Sequence, residues 1–161
     1  MVTQQEFRNA MAHLTAPVNI ITTTGQFGTV GLTVSAVCSV TDSPPTVLMC
    51  INQSSELHDI IANNGLVCIN ILNSEQQELA LHFANMKDST MAERLAWDIW
   101  SINEKGLPIL TEAVANLEGR IVNQHQMGSH SVFMVEIDDI QINSQAALGY
   151  FNRQFHTLPH L

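Results

Sequence analysis

Apolar residues recur along this chain first at helical spacing and then, for most of its length, at strand spacing. Phe7, Ala10, Met11 and Leu14 fall at i, i+3, i+4 and i+7, one stripe of a helix, and Thr3-x-x-Glu6 makes a capping box ahead of them. The pattern predicts a helix over 3–14, which Pro17 bars from continuing. Val18 to Thr24 is rich in β-branched residues and predicts a strand; Gly25-Gln-Phe-Gly28 is a turn. Further strands are predicted over Thr29–Val34 and Val37–Thr41. Asp42-Ser-Pro-Pro45 then breaks the ladder, because neither proline donates to it, before the buried run Thr46–Ile51.

Ser54 and Ser55 are expected to cap a short helix that buries Leu57, Ile60 and Ile61 and stops at Asn64-Gly65. Leu66–Leu72 reads as another buried strand. Ser74-x-x-Gln77 predicts a second capping box, opening a helix through Leu79, Ala80 and Phe83. Thr90-x-x-Glu93 opens a third helix that ends before Trp97, and Asn85 to Ser89 is a loop. The last third turns all-β. Ala113–Gln124 alternates loosely, with Leu117, Gly119, Ile121 and Asn123 on one side; Ser131–Ile142 is a long strand; Gln126–His130 is the turn between them. Tyr150–His156 closes the chain as a short strand or extended tail. Short strands with helices inserted between them, without regular βαβ spacing, predict a mainly β (α+β) domain built as an antiparallel barrel. A doubly wound sheet would need a GxGxxG after its first strand, and there is none.

The totals sharpen this. The 161 residues make one domain, 1–161, with chain enough for a real core. Charged residues are only 13% against 45% hydrophobic, which excludes disorder and points to surface hidden in an oligomer. A net charge of −9 makes the chain a poor nucleic-acid binder, and its six bases matter the more for any phosphorylated ligand. Cys38, Cys50 and Cys68 all lie in apolar runs and read as buried, reduced thiols of a cytoplasmic protein. The N-terminus shows no secretion signal, and no run approaches a membrane span.

Candidate chemistry is sparse. Asn52, Ser54 and Ser55 place an amide and two hydroxyls where a strand hands over to a helix, a setting that suits a phosphate, although plain capping needs only one of them. Thr33 and Ser35 share a strand face and with Ser39 offer hydrogen bonds to a flat ring; ordinary β-propensity explains them equally. His130 sits in a turn between long strands, as site residues and surface histidines both do. Arg153 lies among Tyr150, Phe151 and Phe155, a setting for nucleotide stacking or for simple packing. No CxxC, no histidine pair on a regular helix, no GxSxG and no Walker loop is present, so metal, nucleophile and phosphate-loop chemistry have no motif.

Together these residues resemble the short-chain flavin reductases with a split β-barrel flavin-binding fold. The motifs that carry the resemblance are Phe7–Leu14 with Ala16–Thr22, Ala36–Pro45, Cys50-Ile-Asn52 with Ser54 and Ser55, Cys68–Leu72, His82-Phe-Ala84, Glu93-Arg94, Leu117-Glu-Gly119, Gly128-Ser-His130 and Tyr150–Arg153. They run in order over nearly the whole chain. The resemblance implies a homodimer binding FMN or FAD and reducing it with NADH or NADPH. The reduced flavin would go to a separate monooxygenase for aromatic hydroxylation of the 4-hydroxyphenylacetate type; a non-catalytic flavin binder of the same fold is the alternative. It implies a flavin ring along Thr33, Val34 and Ser35 with Ser39 and Val40 nearby. Pro17 and Asn19 would border the ring, Asn52, Ser54 and Ser55 would take the phosphate side, and His82, Phe83 and Ala84 would close over it. His130, Tyr150 and Arg153 would receive the nicotinamide nucleotide, with His130 positioning it. Thr33-Val34-Ser35 departs from the more usual Thr-Ala lead-in of relatives, so Val34 adds bulk beside the ring.

Overall fold

The computed structural model describes residues 1–160. Helix α1 (Gln4–Met11) starts at the expected capping box: Thr3 accepts from the Glu6 amide, and the Glu6 carboxylate accepts from the Thr3 amide. That bond holds the Glu6 carboxyl below its ordinary range. Strands β1 (Ala16–Pro17), β2 (Asn19–Thr23), β3 (Val30–Val34), β4 (Val37–Asp42) and β5 (Pro45–Asn52) follow, then α2 (His58–Asn64) and β6 (Leu66–Ile71). Helices α3 (Gln77–Phe83) and α4 (Met91–Ala96) lead to the hairpin β7 (Trp100–Ile102) and β8 (Pro108–Leu110). The chain ends with the long hairpin β9 (Ala115–Met127) and β10 (His130–Ile142), then β11 (Ala147–Phe151) and β12 (Gln154–Leu158).

Seven strands form one antiparallel sheet in the order β3-β2-β6-β9-β10-β5-β4. It curls around a core in which Ile21, Ile69, Met49, Ile51, Phe133 and Val135 from four strands pack together, as the barrel expectation required. The curl leaves β3 and β4 as the two outermost strands, so each presents one edge of unpaired backbone N–H and C=O groups. This is the split. A second core of Val18, Ile20, Leu72, Phe83 and Leu148 lies where α3 and the small sheet β1-β11-β12 cover the barrel.

Four expectations are corrected. Ser54 and Ser55 do not cap a helix: α2 begins at His58 after Leu57, without a side-chain cap, because the Ser54 hydroxyl donates to Asn52 Oδ1 and the Ser55 hydroxyl accepts from the Leu57 amide in the turn before it. Ser74-x-x-Gln77 makes no capping box either; Asn73 and Gln76 satisfy the turn before α3, Asn73 accepting from the Glu75 amide and Gln76 from the Asn73 amide. Cys38 is exposed rather than buried, since β4 is an edge strand, while Cys68 is fully buried. The final segment is a hairpin and not a tail. Asn152 and Arg153 both take left-handed φ angles (49° and 61°), the geometry of a two-residue turn between β11 and β12.

The apolar stripe of α1 is the main surprise. Phe7, Met11 and Leu14 are 58%, 44% and 66% exposed, and no α1 residue is buried. The helix lies outside the barrel, tied to the β11–β12 turn by the Asn152 amide on the Ala12 carbonyl and by Arg153 on Asn9 Oδ1 (2.8 Å).

Candidate active site

Three adjoining depressions run along the split. The first, about 300 Å3 and mainly apolar, is lined by Val18, Thr33, Ser35, Ala80, Ala84, Met86, Tyr150 and Arg153 among others. The second, about 270 Å3, shares Thr33 and Ser35 with it and continues past Val34, Cys50 and Asn52 to Ser55 and His130. The third, about 390 Å3, shares Ser55 and is lined by Ser54, Asn85, Ser89 and Arg94. The result is one groove with an apolar end, a middle bordered by open strand edges, and a polar end.

Each part has a local cause. Strand β3 ends at Val34, and the chain turns at Ser35–Ala36 into β4, with the Val37 amide on Ser35 and the Cys50 amide on Ala36. That turn presents Ser35 to the groove. Thr33 spends its hydroxyl on the Ala80 carbonyl (2.7 Å), which pins α3 against β3 and leaves Thr33 to contact a ligand by its main chain. The Asn52 amide oxygen accepts from both the Ser54 amide and the Ser54 hydroxyl (3.0 Å each), a self-contained turn that fixes the polar end. His130 stands opposite Asn52 in the β10–β5 register, its ring Nδ1 2.9 Å from Ser129 Oγ. At the other end Tyr150 packs edge-on to Phe155, with Arg153 at the turn beside them.

Other expected residues lie elsewhere. The expectation that Phe83 closes over a ring is corrected. Its side chain is 1% exposed, lies edge-on to Trp100 at 5.7 Å, and rests on Gly31, where even a Cβ would meet the ring at 2.7 Å. Helical periodicity explains this: α3 turns Ala80 and Ala84 to the groove and Phe83 inward. His82 does not line the groove itself; it stands behind the third depression, contacting Ser89 Oγ (2.8 Å) and the edge of Trp97. Asn19 is fully buried behind β3, donating to the Val34 carbonyl; its Oδ1 has no hydrogen-bond partner among the described residues. Ser39 and Val40 are exposed on β4 and Pro17 is half-buried between α1 and β4; all three lie outside the three depressions.

The sequence reading missed Arg94 as a site residue, although it stands beside the Thr90 capping box and is one of only six bases. Arg94 is 3% exposed, and its guanidinium donates to Ser89 Oγ (2.7 Å), Asn85 Oδ1 (2.9 Å) and the Ser89 carbonyl (2.7 Å), above the Phe83 ring. No carboxylate pairs with it among the described residues. A buried cation without a counter-ion is costly unless an anion from outside completes it, and Arg94 lines the same depression as Ser54 and Ser55. The groove therefore fits a flat ring with hydrogen-bonding edges and an attached phosphate.

Among the described residues, the thiols near the groove and in the core are not activated. Burial, with Cys38 nearby, pushes the Cys50 thiol up, and burial with Glu118 pushes Cys68 up further, so neither is a thiolate at neutral pH. The groove positions and stabilises; it does not attack.

An antiparallel split barrel with this groove defines the class of flavin-binding split-barrel proteins. The sequence signature of the flavin reductase-like domain matches residues 11–159, and the chain belongs to that family. It is 50% identical over 156 residues to the 4-hydroxyphenylacetate 3-monooxygenase reductase component of Pseudomonas aeruginosa, covering 96% of this chain and 92% of that one. It is 42% identical over 159 residues to the FMN reductase (NADH) RutF of Pseudomonas syringae pv. syringae, covering 98% and 88%. Among solved structures, the flavin reductase PheA2 superposes with a TM-score of 0.87 at 30% identity, over 98% of this chain and 99% of that one. The protein is a flavin reductase.

Proposed function

We propose that this protein reduces FMN or FAD with NADH, or NADPH, and hands the reduced flavin to a separate monooxygenase, in aromatic hydroxylation of the 4-hydroxyphenylacetate type. The observation that carries the reading is the two-ended groove. One end offers a buried, unpaired cation beside Ser54 and Ser55; His130 flanks its middle and Tyr150 and Arg153 its other end; the thiol in the middle, Cys50, is pushed up by burial and is not activated. When bound, the flavin supplies the hydride acceptor and the nicotinamide the donor, so no side chain has to form a bond. The chain's own task is to hold two rings at about 3–3.5 Å and to offer donors where negative charge develops. Ser35 and the open main-chain edges at Thr33 to Ser35 border the flavin ring in this reading. Asn52, Ser54, Ser55 and Arg94 take its phosphate. His130, Tyr150 and Arg153 seat the nucleotide.

The working form in this reading is a cytoplasmic homodimer. The exposed α1 stripe and the open edge of β4 form one apolar surface that a second copy covers, as the low charge content of the chain favours. The three free cysteines suit a reducing compartment, and no helix among the described residues is long and apolar enough to cross a membrane.

The test is steady-state oxidation of NADH and NADPH with FMN, FAD and riboflavin, read by electron transfer to oxygen or cytochrome c. Flavin-dependent loss of NADH is expected; none at micromolar flavin would sink the proposal, and stoichiometric flavin without turnover would make the protein a flavin carrier. His130→Ala is expected to raise the KM for NADH more than that for flavin. An unchanged KM for NADH would remove His130 from the site.

A further inference from the structure

We infer that Gln53 is a positioning residue for the nicotinamide side of the reaction, locking the hairpin tip that carries His130 onto the turn that carries Asn52, Ser54 and Ser55. The inference rests on the reading of His130 given above. Gln53 follows the last residue of β5, between two groups of the phosphate end, yet its bonds go the other way. Its main-chain N–H donates to the Ser129 carbonyl (2.9 Å), and its Nε2 donates to the His130 carbonyl (3.0 Å). Its Oε1 accepts from Gln126 Nε2 (2.7 Å). The amide has one workable orientation, because turning it over would set its oxygen against the His130 carbonyl and its nitrogen against the Gln126 donor. One side chain thus spans both strands of the β9–β10 tip.

The tip needs such a tether. The β10 ladder with β5 ends at the His130–Asn52 pair, and every residue from Val122 to His130 is exposed. On the far side, the ladder of β9 with β6 ends at Arg120, so Val122 to Met127 lean on β10 alone up to the two-residue Gly128–Ser129 turn. The next anchor is one residue further in, where the His58 ring meets Ser131 Oγ (2.9 Å); it holds the core face of β10 and not the tip. Ser129 orients the His130 ring and is held by the Gln53 main-chain N–H, a bond that any residue at 53 keeps; what the Gln53 side chain adds is the hold on the His130 carbonyl and on Gln126. A histidine that must meet a nucleotide in one geometry loses affinity if it has to be ordered on binding. The phosphate end, by contrast, does not depend on the Gln53 side chain, since Asn52 closes its own turn onto Ser54. Loss of the side chain therefore weakens one substrate and not the other.

The experiment measures KM for NADH at saturating flavin and KM for flavin at saturating NADH. The proteins are wild type, Gln53→Ala, Gln53→Glu, His130→Ala and Gln53→Ala/His130→Ala. Gln53→Ala is expected to raise the KM for NADH about fivefold, the usual worth of one hydrogen bond, and to move the KM for flavin by less than about twofold. Gln53→Glu fills the same space but cannot donate to the His130 carbonyl, so it is expected to match Gln53→Ala. The double variant is expected to be no worse than His130→Ala alone, because Gln53 acts through His130. A multiplicative double variant, full rescue by glutamate, equal rises in both KM values, or no rise for NADH would each overturn the inference. Turnover by the wild type tests the reductase reading separately: if it turns over and the Gln53 series is flat, only this inference fails.

Discussion

Arg94→Met is expected to raise the KM for FMN and FAD tenfold or more while leaving that for riboflavin near wild type. Hydrogen bonds to charged groups are worth about 1.5–3 kcal/mol, and tenfold corresponds to about 1.4 kcal/mol. Arg94 is already held by Ser89 and Asn85, so its charge is fixed in place before any ligand arrives, at the wall shared with Ser54 and Ser55. Methionine keeps the apolar stem over Phe83 and removes only the charge and its donors. Riboflavin lacks the phosphate and so reports whether the ring site has survived the change. Equal losses for FMN and riboflavin would mean that Arg94 merely holds the 85–89 loop in shape.

Asn70→Leu is expected to lower stability by about 3 kcal/mol or more, near the top of what single substitutions do. Asn70 is fully buried in β6 and sits at the centre of a polar knot. Its amide nitrogen donates to the Ile20 carbonyl (2.8 Å); its oxygen accepts from the Leu110 amide (2.8 Å) and from Asn116 Nδ2 (2.8 Å). Leucine fills the space and strands these partners, and each buried group left unpaired costs about 1–3 kcal/mol. In a domain of this size each kcal/mol lowers Tm by about 2–4 °C, so a fall on the order of 10 °C is the expected reading in a thermal melt. A fall under about 3 °C would show that water or a relaxed backbone replaces the knot. The knot matters because Leu110 belongs to the β7–β8 hairpin. Together with Thr22, which donates to the Pro108 carbonyl (2.6 Å), Asn70 bolts that hairpin to the barrel.

That hairpin is also where the sequence was least legible. Trp100-Ser-Ile and Pro108-Ile-Leu are three-residue strands, too short to show a period, and their place is set by Asn70 and Thr22, distant in the chain. Capping boxes were legible where the side chain had no rival: Thr3 and Thr90 cap as their spacing predicts. At Ser74 the box failed because the Ser74 amide donates to the Ala146 carbonyl, while Asn73 and Gln76 close the turn one residue earlier. The long β9–β10 hairpin followed from its alternation and from Gly128, which takes the left-handed φ of 57° that the turn needs. The closing hairpin was missed because Asn152-Arg153 turns without a glycine.

The site divided in the same way. Residues at chain reversals, Ser35, Asn52, Ser55, His130 and Arg153, line the groove, because reversals gather at the ends of a barrel. Which side of α3 meets the groove depends on how the helix docks. The spacing of His82, Phe83 and Ala84 alone does not say that Phe83 turns inward onto Gly31. Arg94 was hidden by its surroundings: a base that follows a capping box reads as solvated surface until the fold buries it.

Strand β4 carries a consequence for anyone handling the protein. Val37 to Asp42 has β5 on one side and an open edge on the other, and from Cys38 onward its residues are exposed. Neither proline nor lysine guards those six positions, and only the terminal Asp42 is charged. A variant designed to keep the chain monomeric, for instance by placing charge on the α1 stripe, would leave that edge bare. Its fate would then be decided by precipitation rather than by catalysis. A lysine at Val40, pointing off the edge strand, would be the companion change that keeps such a monomer in solution.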